Sequence, residues 1–194
     1  MALILTSITD PRLAELLREG AIGIIPTDTV YGLVGRAAHP EAITRLYRVK
    51  ERELAPGTLI AHSTDAFQEL GFPADHLGRV ARHWPAPLSV VLDATDVADY
   101  LKQTRDGLPV RIPNHPDLLE LLAMTGPLMT TSANTPKSPT SRTIDEAVAY
   151  FGDDVDFYVD AGDLGERPPS TIIGYNGDDI IVYRAGAVDP STLN

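Results

Sequence analysis

Apolar positions recur along the chain at two spacings, and the switches between them mark alternating helices and strands. In residues 11–19, Leu13, Leu16 and Leu17 share one helical face behind a candidate cap at Thr9 or Asp10, and Gly20 ends the segment. Residues 21–25 are an apolar run of strand length; Pro26, with no N–H to give a sheet, predicts that the chain leaves the sheet there. Helical spacing returns over residues 40–49, where Ile43, Leu46, Tyr47 and Val49 are set against Thr44, Arg45 and Arg48, and this helix delivers Lys50 and Arg52 to its C-terminal end.

Further strands are predicted at 58–61, 88–92, 109–113, 127–131 and 157–159, with helices at 64–70, 75–83, 117–124 and 144–151. Residues 93–102 read as exposed, 135–143 as a proline and serine connector, and 162–169 as turn-rich. Asn176-Gly177 is a hairpin signal joining strands at 170–174 and 180–183. Helices and strands alternate first and a hairpin closes the chain, which predicts an α/β fold with a mixed sheet flanked by helices. Without a repeat or a linker, residues 1–194 are expected to form a single domain.

Charge narrows the function. The chain carries 16 basic and 27 acidic side chains, a formal net charge of −11, so its surface as a whole repels a phosphate backbone and direct, stable tRNA binding is not expected. No run approaches the roughly 18 apolar residues of a membrane span. The N-terminus, punctuated by Asp10 and Arg12, lacks a basic region followed by an apolar signal core, so a cytoplasmic protein is expected. The absence of cysteine excludes disulfides, thiolate zinc sites and cysteine nucleophiles; the five histidines show no close ligand spacing, so no metal held by the protein alone is expected.

The common nucleotide and hydrolase signatures are missing as well: no Gly-x-x-x-x-Gly-Lys-Ser/Thr loop, no Gly-x-Gly-x-x-Gly fingerprint and no Gly-x-Ser-x-Gly elbow. What remains is a set of cations and hydroxyls at the ends of predicted elements. Thr27, Asp28, Thr29 and Tyr31 follow the strand at 21–25, where loops of α/β proteins hold ligands, although an ordinary turn with Thr27 or Asp28 as a helix cap explains them equally well. Lys50 and Arg52 suit phosphate contact or a solvated helix end. Arg111 lies between Val110 and Ile112 in a proline-bracketed strand, where its fork matches a ligand carboxylate or phosphate, or one of the chain's own acidic side chains. Thr131-Ser132-Ala133-Asn134 combines small side chains with donors, and Ser170-Thr171 opens a later strand; either group suits a ligand or a capped turn.

Taken in order, these segments resemble the YrdC-like family of threonylcarbamoyl-adenylate synthases. The resemblance spans nearly the whole chain and rests on residues 26–33 (Pro-Thr-Asp-Thr-Val-Tyr-Gly-Leu), Lys50-Glu51-Arg52, Trp84-Pro85-Ala86-Pro87-Leu88 and residues 110–116 (Val-Arg-Ile-Pro-Asn-His-Pro). It continues through Thr131-Ser132-Ala133-Asn134, Arg142-Thr143, Pro169-Ser170-Thr171-Ile172 and Tyr183-Arg184-Ala185-Gly186. It implies a twisted sheet around a large, locally positive cavity. It also implies a reaction in which L-threonine and bicarbonate give a carbamate that attacks the α-phosphate of ATP, the first step toward threonylcarbamoyladenosine in tRNA. Such chemistry depends on positioning and on neutralising phosphate charge, and needs no nucleophilic triad.

By that resemblance Thr27, Arg111, Thr131 and Ser170 hold threonine, with Tyr31 shaping the pocket. Lys50, Arg52, Ser132, Asn134, Arg142 and Arg184 face ATP, with Lys50 and Arg52 in the catalytic positions. Mg2+ is expected to arrive on the ATP phosphates, no tightly bound organic cofactor is implied, and the partner is the tRNA threonylcarbamoyl-transfer machinery downstream. The sequence departs from the family pattern at Val34 and Arg36, at Pro56 where a lysine is common, and at Pro136-Lys137, whose lysine stands as a substitute; the extension of longer relatives is not expected. A divergent paralogue with altered or lost catalysis is the alternative within the fold. A non-catalytic RNA-binding or ribosome-assembly module is the alternative outside it, and the acidic balance argues against that one.

Overall fold

The structure is a computed structural model that describes residues 1–51 and 56–193. The first apolar run forms β2 (Ile22–Pro26), entered through β1 (Leu3–Leu5) and α1 (Pro11–Arg18), whose start is capped by the Asp10 carboxylate accepting from the Arg12 N–H. The chain does not leave the sheet after Pro26. It turns tightly through residues 27–30 and returns as β3 (Tyr31–Arg36), with Pro26 paired to Tyr31 at the last position of the hairpin. Proline is tolerated at that terminal position because no further ladder bond is required of its nitrogen.

Then follow α2 (Pro40–Val49), β4 (Thr58–Ile60), α3 (Thr64–Gln68), α4 (Ala74–Val80) and β5 (Leu88–Asp93). The segment read as exposed contains α5 (Asp99–Lys102), and its Ala94, Val97 and Leu101 are buried, because the Leu101 carbonyl accepts from the Tyr47 hydroxyl at 3.1 Å and fastens α5 to α2. The remaining elements are β6 (Gly107–Arg111), α6 (Pro116–Thr125), β7 (Leu128–Ser132), α7 (Ile144–Phe151), β8 (Phe157–Val159), β9 (Thr171–Asn176) and β10 (Asp179–Arg184). β9 and β10 are the predicted hairpin.

All strands join one ten-stranded mixed sheet in the order β1-β8-β2-β3-β7-β4-β6-β5-β9-β10. Its registers carry the period-2 pattern across the molecule. Gly35, Met129, Leu59, Val110, Val90 and Ile173 are cross-strand partners in turn, and they share the face covered by α2, α3, α4, α5 and α7. The neighbouring rows face the other way. There Val34 and Ile60 pack with Leu13 and Leu17 of α1 and Leu118, Leu121 and Leu122 of α6. Those two helices cover only part of this second face. Farther along it the residues become small and polar, with Thr130 between Val34 and Thr58, and Ser132 beside Gly32.

Two of the family departures are structural. Val34 is fully buried beneath α1 and α6, and the Arg36 guanidinium donates to the Thr125 carbonyl at 2.7 Å, satisfying an end group of α6. Trp84 packs on Phe67 with ring centroids 6.1 Å apart and donates to the Leu88 carbonyl at 2.7 Å. Among the described residues, no helix is long and apolar enough to cross a membrane.

Candidate functional site

The uncovered part of the second sheet face is the floor of a cavity of about 150 Å³. Thr27, Arg111, Thr131, Ser132, Ser170 and Arg184 line it, so strands far apart in sequence bring six of the expected site residues together. The floor is deep because Gly32 lacks a side chain: a Cβ there would lie 2.6 Å from Thr130 Oγ1 and 3.4 Å from the Thr27 methyl. Gly57 makes a similar close approach, since its Cβ would lie 2.5 Å from the Thr130 carbonyl oxygen. Pro56 also lines this wall.

Arg111 ends β6 and is 4% exposed. Its Nη2 lies 3.1 Å from Asp28 Oδ1, and the other carboxylate oxygen of Asp28 accepts from the Asn114 N–H at 3.1 Å. Asp28, in the β2–β3 turn, therefore holds the guanidinium against the cavity. Burial pushes the guanidinium pKa down from its ordinary value and the Asp28 charge opposes that shift. Among the described residues, Arg111 Nε and Thr131 Oγ1 have no hydrogen-bond partner although both are buried in residues that line the cavity. Arg111 shares the face of Ile60 and Thr130, whereas Thr131, in register with Leu33, belongs to the row of Met129 on the helix-covered face. Buried polar groups of proteins are almost always partnered, so the unpartnered Arg111 N–H points to a ligand with an acceptor atom.

The other hydroxyls are engaged. Thr27 Oγ1 donates to the Val30 carbonyl at 2.7 Å and accepts from the Thr29 N–H at 3.2 Å, so it builds the hairpin turn while its methyl group forms cavity wall. Ser170 Oγ lies 3.0 Å from both Ser89 Oγ and Arg184 Nη2, and the Ser170 carbonyl accepts from Arg184 Nε and Nη2 at 3.0 and 2.8 Å. Tyr31 stands apart: its side chain lies on the opposite face, where the hydroxyl donates to the Gly162 carbonyl and accepts from the Ala161 N–H, both at 2.9 Å. Burial raises the phenol pKa, which keeps that hydroxyl protonated.

Lys50, the C-cap of α2, is buried. Its ammonium donates to the Ser132 carbonyl at 2.7 Å, to the Asn134 carbonyl, and to Asn134 Oδ1 at 2.6 Å. Asn134 in turn accepts from Ser132 Oγ at 2.6 Å and donates to the Thr135 and Ser138 carbonyls at 3.1 and 2.8 Å. Lys50 and Asn134 thus fix the turn after β7. Arg52 lies outside the described residues. Lys137 is exposed, in a left-handed conformation (φ 66°), and lines neither the cavity nor its neighbour.

That neighbour, of about 460 Å³, adjoins the first through Val30 and Pro169 and is lined by Arg142, Glu166 and Arg167. Arg142 is paired with Asp163 at 2.9 Å and lies 3.9 Å from Glu166. The hydrogen bond from Arg142 holds the Asp163 carboxyl below the usual carboxylate range. Among the described residues, no three of His, Asp and Glu cluster as metal ligands. Sequence reading missed Asp28 as the partner of Arg111, and it missed Gly32, Thr58 and Thr130 as cavity floor. The signal was present in the period-2 row of small polar residues at Thr130 and Ser132.

Comparisons with known proteins bear on the family and the fold. Residues 15–186 match the Sua5/YciO/YrdC family model, described as telomere recombination. The chain is 32% identical over 164 residues to a threonylcarbamoyl-AMP synthase of Pseudomonas paraeruginosa, an alignment that takes in 82% of this chain and 88% of that one. All of the chain superposes on a doubly substituted form of P. abyssi Sua5 with a TM-score of 0.88 at 25% identity, spanning 63% of that protein. A second P. abyssi Sua5 structure, complexed with L-threonine, gives a TM-score of 0.85 at 24% identity and is spanned to 59%. With the family model matched over residues 15–186 and the same fold underneath, this chain belongs to the Sua5/YciO/YrdC family.

Proposed function

We propose that this chain is a threonylcarbamoyl-AMP synthase, a nucleotidyltransferase that forms the adenylate and pyrophosphate from L-threonine, bicarbonate and ATP. The observation that carries the reading is the buried Arg111 guanidinium, its Nε without a hydrogen-bond partner, at a cavity sized for an amino acid and opening toward a second cavity lined by Arg142 and Arg167. The name of the Pseudomonas relative and the L-threonine in the P. abyssi structure support the same assignment of substrate.

In this reading the threonine carboxylate meets Arg111, with Ser170 on its polar atoms and Thr131 assigned by resemblance alone. Bicarbonate condenses with the amine, releasing water and a proton, and the carbamate oxygen attacks the α-phosphorus while the bond to pyrophosphate breaks. No covalent enzyme intermediate is required. Arg184 and Ser132 face the join between the two substrates, Arg142 faces the phosphates, and Lys50 and Asn134 act by holding the turn that carries Ser132. Arg52 is assigned to the phosphates by resemblance alone. Mg2+ enters with ATP and neutralises its phosphate oxygens. The adenylate then passes to the tRNA threonylcarbamoyl-transfer machinery.

Incubation with ATP, L-threonine, bicarbonate and Mg2+ is expected to yield pyrophosphate and threonylcarbamoyl-AMP, each dependent on threonine. Absence of both, while a competent relative succeeds in parallel, sinks the assignment.

Arg142 adds a second expectation. The Asp163 carboxylate, kept ionised by Arg142 itself, occupies the guanidinium that ATP needs. The pair is largely exposed and hence weak, so Asp163→Asn is expected to lower the KM for ATP by about twofold to fivefold and leave the KM for threonine unchanged. Initial rates at varied ATP test this; an unchanged or higher KM for ATP removes Arg142 from the phosphate site.

A further inference from the structure

Ser89 is a polar residue inside the apolar β5, fully buried and paired in register with Ile172 of β9. Its hydroxyl lies 3.0 Å from Ser170 Oγ, and among the described residues that is its hydrogen-bond partner. A buried hydroxyl whose proton has no acceptor is costly, whereas a spare lone pair is not, so Ser89 must donate to Ser170. Arg184 Nη2, which can only donate, reaches the same oxygen at 3.0 Å. Both lone pairs of Ser170 Oγ are then occupied, and its own proton has no acceptor among the described residues. Ser170 lines the cavity, so that proton is left for the ligand.

From this arrangement we infer that Ser89 is a positioning residue that makes Ser170 a one-way hydrogen-bond donor, selecting an oxygen acceptor of the amino-acid substrate at that point of the wall. The inference rests on the synthase reading for the identity of that substrate. A serine free to donate or accept would meet an amine or an oxygen alike. With Ser89 and Arg184 both donating, an ammonium group is rejected there and a carboxylate or carbamate oxygen is held.

A double-mutant cycle on the intact chain tests it, using L-threonine as the probe, with binding read by calorimetry and KM read by pyrophosphate release. Ser89→Ala is expected to weaken threonine binding and raise its KM by roughly fivefold to tenfold, the worth of one neutral hydrogen bond. The KM for ATP is expected to stay within about twofold, since the substitution removes no phosphate contact. Ser89→Thr, which keeps the hydroxyl, is expected to restore threonine binding, and Ser89→Cys, close in volume but a weak donor, to fall between. In a Ser170→Ala background, Ser89→Ala is expected to add nothing.

Additive losses overturn the inference, as does a Ser89→Ala variant whose melting temperature falls while threonine affinity stays unchanged. So does normal threonine binding by Ser170→Ala. Non-additive coupling in threonine binding, with no adenylate formed by the wild type, supports the inference and removes the synthase reading. Adenylate formation with an additive cycle does the reverse, and a wild type that binds no threonine removes both.

Discussion

Arg111→Ala is expected to reduce threonine-dependent pyrophosphate release by about a hundredfold or more, through loss of charge-assisted bonds to the substrate carboxylate and of the geometry they impose. The KM for ATP is expected to change by less than about threefold, because the phosphates are met by other cations. The substitution also leaves Asp28, whose side chain is 2% exposed, as a buried charge without its partner. Breaking such a pair costs about 3–5 kcal/mol, so denaturant unfolding must be read beside the kinetics. A second variant separates the two effects. Asp28→Asn combined with Arg111→Met removes both charges, recovers much of the stability and is still expected to bind no threonine by calorimetry. Threonine binding by that double variant, or equal losses for threonine and ATP in Arg111→Ala, refutes the role given to Arg111.

Arg111 also shows how far sequence reading reaches. A cation between Val110 and Ile112 demands a partner, and the strand alone leaves a ligand and an acidic side chain as equal candidates. The structure shows the acidic partner and leaves room for the other: Asp28 takes Nη2, while Nε is buried without a hydrogen-bond partner in a residue that lines the cavity. The choice was illegible because Asp28 reaches Arg111 through the β2–β3 hairpin, and Pro26 reads as the end of sheet structure. Gly32 and Gly35 hide the return strand further, since glycine weakens strand propensity. Helices with a strong apolar face were plain, as Leu13 and Leu17 or Ile43, Leu46 and Tyr47 show. α5 was hidden because it is a single turn with only Leu101 buried in it, too short for an apolar pattern to show, and contact with Tyr47 of α2 holds it in place. The cavity is likewise a product of register. Thr58, Thr130, Gly32 and Ser132 are unremarkable singly, and only pairing of β3, β7 and β4 sets them in adjoining rows.

Register and close approach meet again at Gly186, where a single methyl group is expected to disable the site from outside it. A Cβ at Gly186 would lie 2.2 Å from the Pro169 carbonyl oxygen and 2.7 Å from the Ser170 carbonyl carbon, distances that backbone cannot relieve by rotating a side chain. The Ser170 carbonyl is the acceptor for both Arg184 donors, and the Ala187 N–H donates to Pro169 at 2.9 Å just beyond. Gly186→Ala must therefore push the tail away from residues 169–170, and Ser170 and Arg184 lose their common geometry together. A misplacement of about 1 Å is worth about a hundredfold in rate, so kcat/KM for threonine and for ATP are both expected to fall on that scale. The melting temperature is expected to drop by roughly 5 °C, since Thr171 Oγ1 still pins the tail by donating to the Val188 carbonyl and accepting from its N–H. Gly78→Ala supplies the control: it lies inside α4 with no atom within 4 Å of the added Cβ. That substitution is expected to raise stability by about 0.5–1 kcal/mol with kinetics unchanged. Full activity in Gly186→Ala would mean that Ser170 and Arg184 need no fixed relation to each other. A loss confined to ATP would place Arg184 in the site and Ser170 outside it.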